Sequence, residues 1–194
     1  MARVDLPKGS EHIYAPDGAL GLIHVWSDRM DQTMVRAIQD FDLETMRIRD
    51  KVTEAVWARL NLLSSHEEAA RRAMARLALP DAAGQAGTQL WGSADAIWTA
   101  IGDTSEDYNY YTKRTILSGV IGSSLMSWLA DDTEDKSAAR AFLERRIGNV
   151  MQFEKFKGQT LGALSGLPKL SEFKDIFGPS GRRRRYRPYA RQKR

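Results

Sequence analysis

The sequence predicts an all-α protein, on three observations. Apolar residues recur at steps of three and four over long stretches, which is the period of an amphipathic helix. No stretch shows sustained strand alternation, and no Asn-Gly hairpin dipeptide lies between apolar runs. At 194 residues the chain is long enough for one domain with a substantial single core.

The apolar spacing predicts six main helices and a different C-terminal segment. Proline is pre-organised for a first helical turn, so Pro16 is expected near the start of the first helix. Ser65 and Glu68 have the spacing of a capping box for the third helix. Residues 80–88 are expected to form a connector rich in glycine and alanine. In chain order the predicted helices span about 16–42, 45–63, 65–79, 88–101, 103–132 and 133–157.

The predicted fifth helix begins with an acidic, hydroxyl-rich cluster. Ser105 is expected to cap the first free amides, and the carboxylates around it complement the positive end of the helix dipole. Further along, Gly119 and Gly122 interrupt an apolar run. A glycine in a helix interior costs roughly 1 kcal/mol relative to alanine, so we expect another backbone to approach closely there.

The polar start of this helix suits a protein interface. Tyr108 and Tyr111 are expected to face the core, whereas Tyr110 and Arg114, four residues apart, point outward together. Exposed tyrosine and arginine are favoured as energetic centres of interfaces. A simple hydrogen-bonded helix start is the alternative. The predicted partner-binding residues are Asn109, Tyr110, Tyr111, Lys113 and Arg114.

The five tryptophans and seven methionines are compatible with a filled core and with a ligand pocket. They are typical of an ordinary, irregularly filled core, and equally of a pocket for a large apolar ligand. Periodicity leaves both alternatives open. In the second one, a cavity between the second, fourth and fifth helices would be lined by Trp57, Leu60, Trp98, Leu117, Ile121 and Leu125.

The C-terminal segment is amphipathic and ends in a basic tail. Glycines and Pro168 interrupt apolar residues at steps of three, which predicts two short turns or a bent helix over 158–177.

The tail at residues 182–194 holds eight Lys or Arg. Without them the chain has 21 basic against 25 acidic residues, so its net charge falls from +4 to −4. An apolar face followed by cations suits an anchor on an anionic membrane surface. A final helix docked on the core, and non-specific RNA or phosphate binding by the tail, are the alternatives. The predicted membrane-binding residues are Leu161, Leu164, Leu167, Leu170, Phe173, Ile176 and Phe177.

The sequence offers little support for catalysis. It has no cysteine, which excludes disulfide and thiolate chemistry, and its three histidines lack metal-ligand spacing. It has no P-loop, no Gly-x-Ser-x-Gly elbow and no paired Glu-x-x-His. We therefore predict a non-enzyme with no cofactor and no metal site.

A stretch of the chain resembles a known family. Residues 94–132, ADAIWTAIGDTSEDYNYYTKRTILSGVIGSSLMSWLADD, and residues 141–158, AFLERRIGNVMQFEKFKG, resemble the coenzyme Q biosynthesis accessory protein family, the ninth Coq protein family. The block at 103–114, with its Asn-aromatic-Tyr-Thr-basic-Arg order, is the most specific part. The resemblance extends more weakly through residues 47–60 and covers about 16–158.

This resemblance implies a fold and a function. The fold would be like that of TetR transcription regulators and dimeric, without specific DNA binding. The protein would be a non-catalytic lipid-binding protein of ubiquinone biosynthesis. It would hold an isoprenoid lipid or quinone and present the polyprenylated intermediate to the di-iron demethoxyubiquinone hydroxylase. The family's aromatic contact pair corresponds to Tyr110 and Tyr111, with Tyr110 in place of the tryptophan common in the family. The alternative is a TetR-type ligand-sensing regulator that has lost its DNA-binding part.

The resemblance also implies an organisation and a location. We expect an irregular remnant at 1–15, a helical lipid-binding domain at 16–158, an amphipathic membrane-associating segment at 159–178 and a disordered basic tail at 179–194. Family members normally begin with a helix-turn-helix unit, and we expect that unit to be incomplete here. The expected location is the cytoplasmic face of a bacterial inner membrane, as a peripheral protein. The matrix side of the mitochondrial inner membrane is the alternative.

Overall fold

A computed structural model describes residue 13 and residues 15–163, with side chains through residue 150. All regular structure in these ranges is helical, which confirms the all-α class. The likeness to TetR regulators stays a prediction. Within these ranges no helix has both the length and the apolar character of a membrane span. The α-helices are α1 (Gly18–Gln39), α2 (Ile48–Asn61), α3 (Glu67–Leu77), α4 (Ala83–Ala100), α5 (Asp107–Ala130) and α6 (Ser137–Ala163).

Helices α4 and α5 form the most extensive helix pair, and the core is built around them. Gly122 on α5 allows a close approach, because a Cβ there would lie 3.2 Å from Leu90 Cδ1 on α4. The close neighbour is thus a side chain, and the expected backbone approach is wrong. At Gly119 no described atom lies within 4 Å of the position that a Cβ would take, so close packing does not explain this glycine. The largest fully buried side chains are Trp128, Met34, Ile38, Leu60, Ile97, Ile121 and Leu143.

The start of α4 differs from the predicted connector. A single turn of 3₁₀ helix, Pro80–Ala82, leads directly into α4, so residues 83–88 are helical. A tertiary hydrogen bond supports this start, because Gln85 Nε2 donates to the Leu20 carbonyl of α1 at 2.7 Å. That contact stabilises a helix in a segment whose glycines predicted a loop.

Other helix ends also differ from the sequence pattern. A 3₁₀ turn, Ser64–His66, precedes α3, and no side-chain cap bond is present at its first turn, so the predicted capping box of Ser65 and Glu68 is wrong. Helix α6 runs beyond its predicted end at residue 157 and reaches Ala163. The rest of the predicted bent segment lies outside the described residues.

The turn between α5 and α6 is held by one aspartate and one lysine. Asp131 accepts hydrogen bonds from the Thr133 hydroxyl at 2.6 Å and from the Ala139 amide at 2.8 Å, and these bonds lower its pKa. Lys136 adopts a positive φ of 52° and places its ammonium 4.6 Å from the Trp128 ring centroid. The same ammonium donates to the Asp131 carbonyl at 2.6 Å. These contacts fix the direction in which α6 leaves the turn.

A buried arginine joins three helices. Arg59 of α2 is 6% exposed and donates through Nε to Asp31 Oδ1 of α1 at 2.6 Å. Its Nη2 donates to Ser27 Oγ at 3.0 Å, and Ser93 of α4 donates to the other Asp31 oxygen at 2.9 Å. We call Arg59, Asp31, Ser27 and Ser93 the Arg59 cluster.

Candidate functional site

A cavity of about 470 Å³ lies among the start of α2, the end of α4, the first half of α5 and α6. This volume is within the range of small-molecule sites, which bury most of a ligand against apolar side chains. Most of the wall is apolar. The apolar lining residues are Ile48, Val52, Trp98, Ile101, Ile116, Leu117, Val120, Ile147 and Val150.

One part of the lining is polar and comes from the α4–α5 loop and the start of α5. The loop contributes residues 102–105, and α5 contributes Asn109, Thr112 and Lys113. Arg49 of α2 also lines the cavity. The cavity therefore offers an extended apolar wall together with a cluster of hydrogen-bonding groups, which is the pattern required by an amphiphilic ligand.

The loop has this shape because α4 ends in a Schellman motif. Gly102 has a φ of +84°, and its amide donates to the Thr99 carbonyl at 3.1 Å. The amide of Asp103 donates to the Trp98 carbonyl at 2.9 Å. Glycine is favoured at this position because a side chain is strained at positive φ. The turn directs Asp103 inward, where its side chain is only 6% exposed.

Asp103 is the centre of a paired polar cluster. It accepts hydrogen bonds from Lys113 Nζ at 2.7 Å, from Ser105 Oγ at 2.7 Å and from Arg114 Nη1 at 3.3 Å. Burial by itself raises the pKa of Asp103, but the bonds from Lys113 and Ser105 outweigh burial, so its pKa lies below the ordinary value. Ser105 therefore binds Asp103 and Lys113 rather than capping α5, and the predicted cap is wrong.

Arg114 is buried, which corrects its predicted outward position. It is 2% exposed and donates through Nε to Asp95 Oδ1 of α4 at 2.5 Å. Its guanidinium lies 3.5 Å from the ring centroid of Tyr110, whose hydroxyl donates to the same Asp95 oxygen at 3.1 Å. Burial lowers the pKa of Arg114, but the bond to Asp95, the charge interactions with Asp95 and Tyr110 and the bond to Asp103 together outweigh burial, so the pKa is raised overall. We call Arg114, Asp95, Asp103 and Tyr110 the Arg114 cluster.

Of the three tyrosines at the start of α5, the two exposed ones are those that were predicted to face the core. Tyr108 is 70% exposed and Tyr111 is 61% exposed, whereas Tyr110 is half-buried. The Tyr111 ring lies 5.2 Å from Tyr110 and 6.1 Å from Trp91 of α4, measured between centroids. The sequence contained evidence that Tyr110 and Arg114 lie on the buried face of α5, because positions 110, 114 and 117 follow helical spacing and Leu117 is apolar.

The structure brings together two of the six predicted cavity residues. Trp98 and Leu117 line the large cavity. Leu60 and Ile121 are fully buried in the core, and Leu125 lines a separate cavity of about 60 Å³. Trp57 is half-buried, with the Arg140 guanidinium 5.3 Å from its ring centroid. Lipid contact at these positions stays a prediction. Sequence reasoning missed the cavity residues of α6 and of the α4–α5 loop.

The other predicted sites are placed as follows. Asn109 is exposed, and Lys113 is partly exposed and lines the cavity. Leu161 lies in α6, beyond the last described side chain, and the remaining membrane-binding residues lie outside the described residues. In the part of the chain that the structure describes, no three His, Cys, Asp or Glu side chains converge as metal ligands would.

The Arg114 cluster and most of the cavity lining lie in a region that a known family matches. A family model described as COQ9 matches residues 83–154, which span α4, α5 and much of α6. The chain is 24% identical over 152 residues to ubiquinone biosynthesis protein COQ9, mitochondrial, of Homo sapiens, covering 75% of this chain and 48% of the relative. Residues 83–154 of this chain are thus similar to the COQ9 family. The resemblance carried by residues 103–114 is thereby confirmed.

Other COQ9 proteins match in the same way. The protein of Rattus norvegicus is 32% identical over 98 residues, which cover 50% of this chain and 31% of the relative. The protein of Drosophila melanogaster is 26% identical over 155 residues, covering 78% of this chain and 48% of the relative. The matched region thus spans between about a third and a half of the length of these COQ9 relatives, all of which are named as mitochondrial.

Proposed function

We propose that this protein is a non-catalytic, lipid-binding accessory protein of ubiquinone biosynthesis. It holds a polyprenylated quinone intermediate in the 470 Å³ cavity and presents it to the demethoxyubiquinone hydroxylase. The observation that carries the proposal is the combination of an apolar wall with a polar cluster in one cavity. An isoprenoid quinone has the same division, with an apolar tail and a polar ring. Similarity to COQ9 proteins, which are named for ubiquinone biosynthesis, supports the same pathway.

The proposal includes a place for the hydroxylase to dock. Tyr111 is exposed and packs beside Trp91 and Tyr110, so an aromatic surface lies on the outer side of the helices that line the cavity. Aromatic side chains contribute large contact areas at interfaces. In this proposal the protein is a homodimer and a peripheral membrane protein. The relatives are named as mitochondrial, which supports the mitochondrial alternative, and within it the proposed place is the matrix side of the inner membrane.

Lipid extraction from the purified full chain tests the cavity. Mass spectrometry of the extract should find isoprenoid quinones in near-stoichiometric amount. Val120→Phe should lower that amount, because Val120 is 4% exposed and lines the cavity, so a larger side chain occupies ligand volume. We expect at least a tenfold weaker affinity, equivalent to about 1.4 kcal/mol.

Met126→Phe is the matched control for that variant. Met126 lies on the same helix, is 64% exposed and does not line the cavity, so the same aromatic side chain should leave quinone binding unchanged. Equal losses in both variants, or extracts that contain only phospholipid, would contradict the proposal.

Tyr111→Ala tests the docking surface. It should weaken binding to the purified hydroxylase without changing the unfolding midpoint, because Tyr111 is exposed. Tyr110→Ala should weaken hydroxylase binding and also lower the unfolding midpoint, because Tyr110 stacks on the buried Arg114. Unchanged hydroxylase binding by Tyr111→Ala would argue against this surface.

A further inference from the structure

One lysine in the polar part of the cavity is held by a tryptophan at two points. Trp98 Nε1 donates to the Lys113 backbone carbonyl at 3.3 Å, and the Lys113 ammonium lies 5.0 Å from the Trp98 ring centroid. Both residues line the cavity. The ammonium is therefore held beside the cavity wall, although the Lys113 side chain is 38% exposed, and a ligand that contacts Trp98 lies close to it.

This ammonium has a hydrogen-bond donor left over. A lysine ammonium has three donors, and two of them go to Asp103 Oδ1 and Ser105 Oγ. The acceptor strength of Ser105 is increased because its own hydroxyl donates to Asp103. No acceptor among the described residues takes the third N–H of Lys113. The lysine can thus donate to a ligand without giving up either protein contact.

The charges around Lys113 already balance. Lys113 and Arg114 carry two positive charges, and Asp103 and Asp95, which accept their hydrogen bonds, carry two negative charges. An anionic ligand group beside Lys113 would add a third negative charge, and no further cation of this cluster would be there to pair with it. Removing an uncompensated charge from water costs several kcal/mol, whereas a carbonyl oxygen needs only a donor. Electrostatics therefore favours a neutral acceptor.

Arg49 is the other cation of the lining, and it does not change this balance. It is exposed, and its guanidinium lies within ordinary contact distance, 3.7 Å, of a Cβ position at Gly148 on α6. Solvent screens an exposed charge strongly, so Arg49 contributes little to discrimination between ligand heads.

We propose that Lys113, set by Trp98, Asp103 and Ser105, forms a headgroup subsite for amphiphiles whose head is a neutral carbonyl. A quinone or an ester fits this subsite, and a carboxylate or a phosphate is disfavoured. The apolar tail lies along the wall formed by α5 and α6, which includes Ile116, Val120 and Val150. The inference rests on the proposed lipid-binding function of the cavity and adds the class of headgroup and the residue that selects it.

Ligands with identical tails test the subsite. A ten-carbon methyl ester, the corresponding carboxylate and a hydrocarbon of equal length should compete with a polarity-sensitive dye bound to the full chain. The ester should bind at least about tenfold tighter than the carboxylate, because the carboxylate loses its hydration at a site whose cations are already paired. A preference for the carboxylate would overturn the subsite, and this comparison needs no variant.

Substitution of the lysine tests its role. Lys113→Met should weaken ester binding roughly tenfold, leave hydrocarbon binding unchanged, and be rescued in part by Lys113→Arg. Equal losses for ester and hydrocarbon would show a structural effect and overturn the subsite, as would no loss at all.

A decyl ubiquinone analogue separates the subsite from the proposed function. Ester preference without binding of the quinone would support the subsite and contradict quinone presentation. Quinone binding that is insensitive to Lys113→Met would contradict the subsite and leave the proposed function intact.

Discussion

The Arg59 cluster and the Arg114 cluster use the same chemistry in different surroundings. Each contains an arginine that is at most 6% exposed and donates through Nε to an aspartate of another helix. Nη2 of Arg59 donates to Ser27, in a junction of three helices beside the cavity of about 60 Å³. Nη1 of Arg114 donates to Asp103, which is shared with Lys113 at the cavity wall.

The difference separates a structural junction from a junction that also supports a site. A buried ion pair is weak evidence for net stabilisation, because desolvation offsets much of the attraction. The Arg59 cluster lies beside a cavity of only about 60 Å³, which is too small for a lipid. The Arg114 cluster holds the aspartate that positions Lys113. We therefore expect both clusters to matter for folding and only one to matter for binding.

The largest expected effect comes from removing a buried arginine. Arg59→Leu leaves Asp31, whose side chain is 13% exposed, without its main partner and should lower the free energy of unfolding by about 3–5 kcal/mol. Arg114→Leu should lower it by less, because Asp95 is 42% exposed and Asp103 keeps its bond from Lys113. Urea denaturation measures these losses. Among folded molecules at low temperature, only Arg114→Leu should also weaken quinone binding. Equal loss of binding in both variants would remove the distinction between the clusters.

Removing both partners should cost less than removing one. The double variant Arg59→Met with Asp31→Leu leaves no uncompensated charge, so its unfolding free energy should recover at least about half of the loss seen for Arg59→Leu. The same denaturation experiment tests this. A double variant less stable than the single one would mean that the cluster stabilises the junction through more than charge pairing.

Acid should weaken the Arg114 cluster through Asp103. Its pKa in the folded protein lies below its unfolded value, so the unfolded chain binds more protons between the two values. The stabilisation is complete above the ordinary aspartate pKa of about 3.9 and is lost as the pH falls through the folded value. Asp103→Asn should therefore be less stable than the wild type at pH 6, and the gap should narrow toward pH 3. A constant gap would exclude this linkage.

Hydroxyl groups should have smaller effects. Ser93→Ala removes the bond to Asp31 inside the Arg59 cluster and should lower the unfolding free energy by about 1 kcal/mol. Ser105→Ala should lower stability less, because Ser105 is only half-buried beside the cavity, but it should weaken ester binding by loosening Lys113. Identical profiles for the two variants would argue against a separate role for the Arg114 cluster.

The smallest effect is expected at an exposed pair. Arg72 and Glu68 of α3 are 79% and 69% exposed in their side chains, with Nε 2.8 Å from Oε1. Arg72→Ala should change the unfolding free energy by no more than about 0.5 kcal/mol, because solvent screens such pairs. This variant is the baseline for the buried arginines.

The sequence predicted what depends on local periodicity. Helix α5 was located from its acidic, hydroxyl-rich start and the long apolar run behind it, and the block at 103–114 carried the family resemblance. The start of α4 was missed, because the bond from Gln85 to Leu20 joins residues 65 positions apart. A local pattern of glycines contains no information about such a partner.

The site was predicted less well for the same physical reason. Arg114 was expected on the surface because arginine is usually exposed. Its aspartates lie 19 and 11 residues earlier, on α4 and on the loop, and only the folded arrangement brings them to it. The cavity residues of α6 were missed because their periodicity is that of any core-facing helix, and spacing does not distinguish a filled interior from an open one.

Two tryptophans of α4 connect the cavity wall to the exposed aromatic surface through one continuous helix. Trp91 and Trp98 are two helical turns apart, roughly 10 Å along the axis. One packs beside the exposed Tyr111 and the other holds Lys113 at the cavity wall. Helix α4 is continuous between the two tryptophans. We therefore expect a ligand that displaces Trp98 to shift Trp91 and the neighbouring Tyr111 as well. In that case, the affinity of a partner that binds at Tyr111 depends on whether a ligand occupies the cavity.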